Sequence, residues 1–133
     1  MIEDLYNNVK VVNALDSSAI SDGATNGAVI DTQGFNSGII NLKATAVTAG
    51  DVTGSVQEGD QDDGSDMVNI PASRIIGTPT ALTAANEVDK LGFVANKRYI
   101  RVVATGANSA NLTANATAVL GSPAYGAVDA HSV

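Results

Sequence analysis

The segment "LTANATAVL", Leu112 to Leu120, alternates without a break. Leu112, Ala114, Ala116, Ala118 and Leu120 take one side, and Thr113, Asn115, Thr117 and Val119 take the other. A period of two is the period of a strand, whose side chains leave the backbone on opposite faces. "GIINLKATAVT", Gly38 to Thr48, repeats the pattern, with Ile40, Leu42, Ala44 and Ala46 against Asn41, Lys43 and Thr45. A helix would need apolar positions three and four apart, and β-branched Ile and Thr favour extended backbone. "KRYIRVVATG", Lys97 to Gly106, sets Arg98, Ile100, Val102 and Ala104 on one face and Lys97, Tyr99, Arg101 and Val103 on the other.

Shorter candidates are Val9 to Leu15, Ala28 to Asp31, Asp51 to Gln57, Met67 to Ile70 and Arg74 to Ile76. "SDGATNG", Ser21 to Gly27, reads as a turn on the strength of Asp22-Gly23 and Asn26-Gly27. Pro71 ends the strand before it or places it at an edge. Thr83 to Leu91 is compatible with a turn or two of helix capped by Thr83, and equally with an irregular connection. The expectation is therefore an all-β chain: an antiparallel β-sandwich, jelly-roll-like, of about seven or eight short strands with at most one short helix. It divides into an N-terminal arm, 1–8, a sandwich domain, 9–121, and an extended tail, 122–133.

Composition agrees. Of 133 residues 44% are apolar, yet many are Ala, there is no Trp, and Val and Ile lead the larger ones, so the core is built from short β-branched groups. The net charge of −7 opposes nucleic-acid binding, which needs a basic surface to displace counterions, and opposes docking on an anionic membrane. The absence of Cys excludes disulfides, thiolate catalysis and Cys-based zinc sites. "MIEDLYNNVK" has acids where a signal peptide needs a basic and then an apolar region, so the expected place of synthesis is a cytoplasm.

"QEGDQDDGSD", Gln57 to Asp66, packs five acidic residues into ten positions. An EF-hand loop wants acids at its first, third and fifth positions, Gly at the sixth and Glu at the twelfth. Counted from Glu58, the acids Glu58, Asp60 and Asp62 fit, but Asp63 stands at the Gly position and Asn69 at the Glu position. Counted from Asp60, the last position is Pro71. The better reading is a solvated hairpin tip turning at Asp63-Gly64. His131, the single histidine, lies three residues from the end of the sequence, a poor place for a held catalytic imidazole. No phosphate-cradling Gly motif occurs. The glycosylation patterns at Asn111 and Asn115 read as chance in an Asn/Thr-rich strand. The residues therefore predict no catalytic group, no metal and no cofactor.

What remains is surface. Tyr99, Arg101 and Val103 share a strand face, and Tyr and Arg are favoured interface anchors. The plainer alternative is that Lys97, Arg98 and Arg101 pair with local carboxylates. Ile39 and Val47 are apolar residues on the polar side of their strand, which permits a contact surface there.

The order of "GFNSGIINLKATAV", "GSVQEGDQDDGSDMVNIP", "LGFVANKRYIRVVAT" and an Ala/Thr-rich final strand, over Gly34 to Leu120, resembles small proteins of tailed bacteriophages and prophages encoded near the major capsid protein. The resemblance implies a capsid decoration, or cement, protein: a β-sandwich on the outer surface of the head that bridges subunits of the major capsid protein. It also implies self-association as a dimer or trimer on the shell, and it carries over no catalytic residue. The alternatives are another virion part, such as a tail-tube or head-completion subunit, or a module that binds a host surface. A tail tube would call for a long hairpin, and a sugar site for more aromatics. On the cement reading, loss of Met1 to Asn8 or of the tail after Pro123 weakens attachment and leaves the domain folded.

Overall fold

The computed structural model describes Tyr6 and residues 9–123. The tail after Pro123, His131 and the arm apart from Tyr6 lie outside the described residues. Among the described residues eight strands join in one sheet. They are β1 (Lys10–Ile20), β2 (Gly23–Asn26), β3 (Ile30–Asp31), β4 (Phe35–Gly59), β5 (Val68–Asn69), β6 (Ile75–Ile76), β7 (Val88–Val94) and β8 (Tyr99–Pro123). The strand ladders are antiparallel, and a 3-10 turn at Ala72–Arg74 lies between β5 and β6.

The fold is organised by β4 and β8, each 25 residues long. They pair from Phe35 opposite Pro123 to Gly59 opposite Tyr99, with register shifts confined to the stretch between Ala44 and Asp51. Within that stretch the ribbon bends. Gly50 has φ +74°, and Asn108 and Ser109 both have φ +60°. A Cβ at Gly50 would stand 2.5 Å from the Ala107 oxygen and from Ala110 Cα, so a side chain does not fit the inside of the bend. Two carboxylates fasten the corner. Asp22 accepts from the Ala110 N–H at 2.8 Å, and Asp51 from the Asn108 side-chain amide at 2.6 Å.

The bend folds the ribbon onto itself: a Cβ at Gly54 would lie 3.1 Å from Leu42 Cδ2 on the other half of the same strand. The one sheet thus becomes two facing layers. The first layer runs β1, 111–123 of β8, 35–49 of β4, β7 and β6. In the second, 99–107 of β8 and 51–59 of β4 are flanked by β2, β3 and β5. The core lies between. Ile40, Leu42, Phe93 and Leu120 come from the first layer, Val52, Ile100 and Val102 from the second, and all are essentially without exposure. Burying each contributes about 1.5–3 kcal/mol.

The all-β, antiparallel, sandwich-like expectation holds, with differences in detail. Two strands are long, because Gly50 and the left-handed Asn108 and Ser109 let the chain turn without breaking its ladder. "GATN" is β2, paired with Val103 to Gly106, and not a turn. No helix forms at Thr83 to Leu91. Glu87 accepts from the Thr83 and Ala84 N–H groups at 2.8 and 2.7 Å, the bonds of a helix N-terminus, but Asn86 has φ +69° and the chain leaves as β7.

Candidate interaction surface

Antiparallel register places residues of distant strands in rows across a sheet. In the first layer Val11 lies opposite Val119, Val119 opposite Ile39, Ile39 opposite Gly92, and Gly92 opposite Ile76. The inward positions of the same strands are Ile40, Leu91, Phe93 and Leu120, so this row points outward. It is an apolar stripe five strands wide, spanning about 19 Å at the usual strand spacing. Val11 is 64% and Ile76 66% exposed, while Ile39 and Val119 between them are half-buried. Gly92 leaves a gap in the row that Ile76 leans over: a Cβ there would meet Ile76 Cβ at 3.1 Å. The next row holds Gly121, Ser37 and the exposed Val94, with Val9 against Gly121. Val9, Ser37, Ile39, Ile76, Lys90 and Val119 are among the residues that line a shallow trough of about 730 Å³ along these rows.

On the other side of the stripe the face turns polar, through Asn13, Thr117, Asn41 and Lys90, then Asn115 and Lys43. Lys43 and Lys90 are exposed diagonal neighbours, and neither has an ion-pair partner among the described residues. Asp89, between them in register, is buried on the inner side and accepts from the Thr80 N–H at 3.0 Å, and Asp16 on β1 accepts from the Asn13 amide at 2.6 Å.

The second layer's outer face differs, because the chain covers part of it. Tyr99 and Arg101 are half-buried and Val103 is buried. Arg101 donates to the Gln57 side chain at 2.8 Å. The Asp60–Met67 tip folds back here, so that a Cβ at Gly64 would lie 3.1 Å from Arg101 Nη1 and 3.2 Å from Val29 Cγ2. Arg98 makes a two-pronged pair with Asp31 at 2.9 and 3.0 Å and sits over the Tyr99 ring, while Lys97 reaches Asp60 at 3.5 Å. The local pairing expected of Lys97 and Arg98 is therefore present.

Of the five residues singled out by sequence, Ile39 sits at the centre of the stripe. Val47 does not: the register shift between Ala44 and Ala46 reverses the alternation, so Val47 packs on the core and Ala46 is exposed. Tyr99, Arg101 and Val103 belong to the opposite layer. Sequence reasoning missed Val11, Val119 and Ile76. For Val119 the signal was present, an apolar residue on the polar side of its strand, as with Ile39.

The acidic stretch is a hairpin, since Gln57 pairs Asn69 and Glu58 pairs Val68. Asp66 caps its turn by accepting from the Asp60 and Gln61 N–H groups at 2.9 and 3.1 Å, and Asp63 accepts from the Ser65 N–H at 2.9 Å. These bonds hold both carboxyls below the usual carboxylate range. Among the described residues no three acidic, His or Cys side chains converge on a point where a metal would sit. Glu58 is not part of the solvated tip: it is 3% exposed. It pairs with both terminal nitrogens of Arg74, one at 2.9 Å, and accepts from the Asn96 N–H at 2.9 Å. Arg74 also donates to the Val94 oxygen at 3.0 Å. Arg74 outweighs burial and lowers the Glu58 pKa. The result is a staple joining the ends of β4 and β7 to the 3-10 turn. Beside it an apolar hollow of about 370 Å³ opens between Val56, Ile70, Ile75 and Pro79. Its described lining holds no titratable side chain.

Fold and face together define an all-β body with an outward apolar surface. No protein-family model matches the chain, and no curated protein matches it in sequence. Among solved structures it is similar to a chain in the structure of infectious bursal disease virus Gx strain. The identity is 11% over 84% of this chain, and the TM-score is 0.44, a likeness too slight to bear on function. This chain spans 31% of that one.

Proposed function

We propose that this chain is a virion structural protein that decorates the outer surface of a phage head and cements neighbouring subunits of the major capsid protein. It works by contact and performs no reaction. The observation that carries the reading is the apolar stripe: five strands align apolar residues, or a glycine that makes room for one, away from a core that is already complete. An outward apolar row aligned across five strands supports reading this face as a surface that meets another protein. The resemblance of Gly34 to Leu120 to small phage proteins encoded beside the capsid gene supplies the partner.

Cement action needs no tight single contact. Hundreds of modest contacts on one shell hold a layer that separate copies would leave. The test is to part purified particles of the encoding virus into heads and tails and to quantify the chain in each by mass spectrometry. The expected result is many copies per head and none on the tail. Copies confined to tails, or a chain absent from particles, overturns the proposal. The ribbon of β4 and β8 is long enough to raise the tail-tube alternative, but its strands are joined through residues 60–98 and do not form a hairpin.

A further inference from the structure

The two outer faces of the sandwich are unequal. One is partly occupied by the acidic tip, Val29 and Arg101. Among the described residues no segment lies over the other, which holds both the apolar stripe and Lys43 and Lys90, neither in an ion pair with a described residue, although the chain as a whole carries −7. Two ammonium groups on diagonal positions stand about 7 Å apart at the Cα level. They repel each other and attract carboxylates.

The size of the patch limits what sits on it. The stripe and the rows on either side cover roughly 400 Å² at standard strand and residue spacings. A stable complex of two proteins needs about 800 Å² from each partner. The patch is about half of that, too small to hold a second copy of this chain in dilute solution. It suits an occupant presented many times over, where avidity makes up the difference.

We infer that the outer face of the first layer is the shell-facing side of the molecule. It seats an apolar ridge of an assembled shell protein on the row Val11, Val119, Ile39 and Ile76, and carboxylates beside that ridge pair with Lys43 and Lys90. The inference rests on the cement reading and adds to it which face docks and what chemistry it meets. The acidic tip, on the other layer, then faces solvent.

The test uses heads of the encoding virus stripped of this protein, re-incubated with the full-length chain and counted after sedimentation. Ile39→Asp should lower the retained copies about tenfold, the loss typical of a central contact. Ile76→Asp and Val11→Asp, at sites already exposed, should do the same without risk to the fold, as circular dichroism will show. The double variant Lys43→Glu, Lys90→Glu should attach less and lose the salt dependence of the wild type. Thr105→Asp, exposed on the other layer, should attach like wild type. If wild type attaches and the stripe variants attach equally well, the docking face is wrong and the cement reading stands. If wild type does not attach at all, both fall. A wild-type dimer in sedimentation equilibrium at micromolar concentration that Ile39→Asp abolishes makes the occupant a second copy, and that also overturns the inference.

Discussion

Glu58 shows how one residue departs from what its neighbours in sequence suggest. It stands among solvated acids, yet it is buried and held by Arg74 and the Asn96 N–H. The two members of the ion pair are unequal: the Arg74 side chain is 21% exposed and the Glu58 side chain 4%. Arg74→Ala leaves a buried carboxylate with one N–H and should destabilise the fold more than removal of the carboxylate does. Glu58→Gln keeps an acceptor and frees an arginine that reaches water, so it should cost less, about 1–2 kcal/mol. Urea denaturation at neutral pH measures both, and equal losses would count against the staple. The pH dependence follows from the same bonds. Arg74 lowers the Glu58 pKa below its ordinary 4.5, and Arg98 likewise lowers that of Asp31. A depressed carboxylate stabilises the fold above its unfolded pKa, and the stability is lost as pH falls through the folded value. The midpoint of thermal unfolding should therefore change little between pH 7 and pH 5 on account of these two groups, then fall below about pH 4.5, and fall less steeply in Glu58→Gln.

At the scale of elements, the corner of the long ribbon decides the fold. Gly50→Ala meets both obstacles at once, a left-handed backbone and a Cβ 2.5 Å from the Ala110 Cα. The expected cost is about 2–4 kcal/mol. Ser109→Gly acts in the opposite sense, since Ser109 holds φ +60° that glycine adopts freely, and should be neutral or stabilise by up to about 1 kcal/mol. Thermal melts of the two variants check the pair. The strands themselves were legible. Leu112 to Leu120 alternates in the structure as in the sequence, and so does Ile40 to Ala44. What was not legible lay in phase and continuity. A register shift near Ala46 cannot be seen in alternation that continues through it, and so the sequence pattern puts Val47 outside. Gly50 and Asn108 look like strand ends because they carry turn chemistry, but here that chemistry bends a ladder that continues. Thr83 and Glu87 spell a helix cap, and the local hydrogen bonds obey it. Asn86 then diverts the chain into β7, whose pairing with β4 supplies bonds a short exposed helix lacks.

At the scale of the whole molecule, a complete inner core is combined with unequal outer faces. The stripe was half legible, in Ile39 and Val119, each apolar on a polar side. That these align with Val11 and Ile76 is a matter of register among strands up to more than a hundred residues apart, and no local pattern carries it. The same register makes the body a single cooperative unit, since β4 and β8 pass through both layers, and the expected unfolding has one transition. The central claim is that this rigid body works through the outside of its first layer. A density map of intact particles tests it most directly. The account predicts copies spread over the head with the Val11, Val119, Ile39 and Ile76 row against the shell and the Asp60–Met67 tip outward. A map with that row turned to solvent and the second layer on the shell, or with no copies on the head, would contradict it.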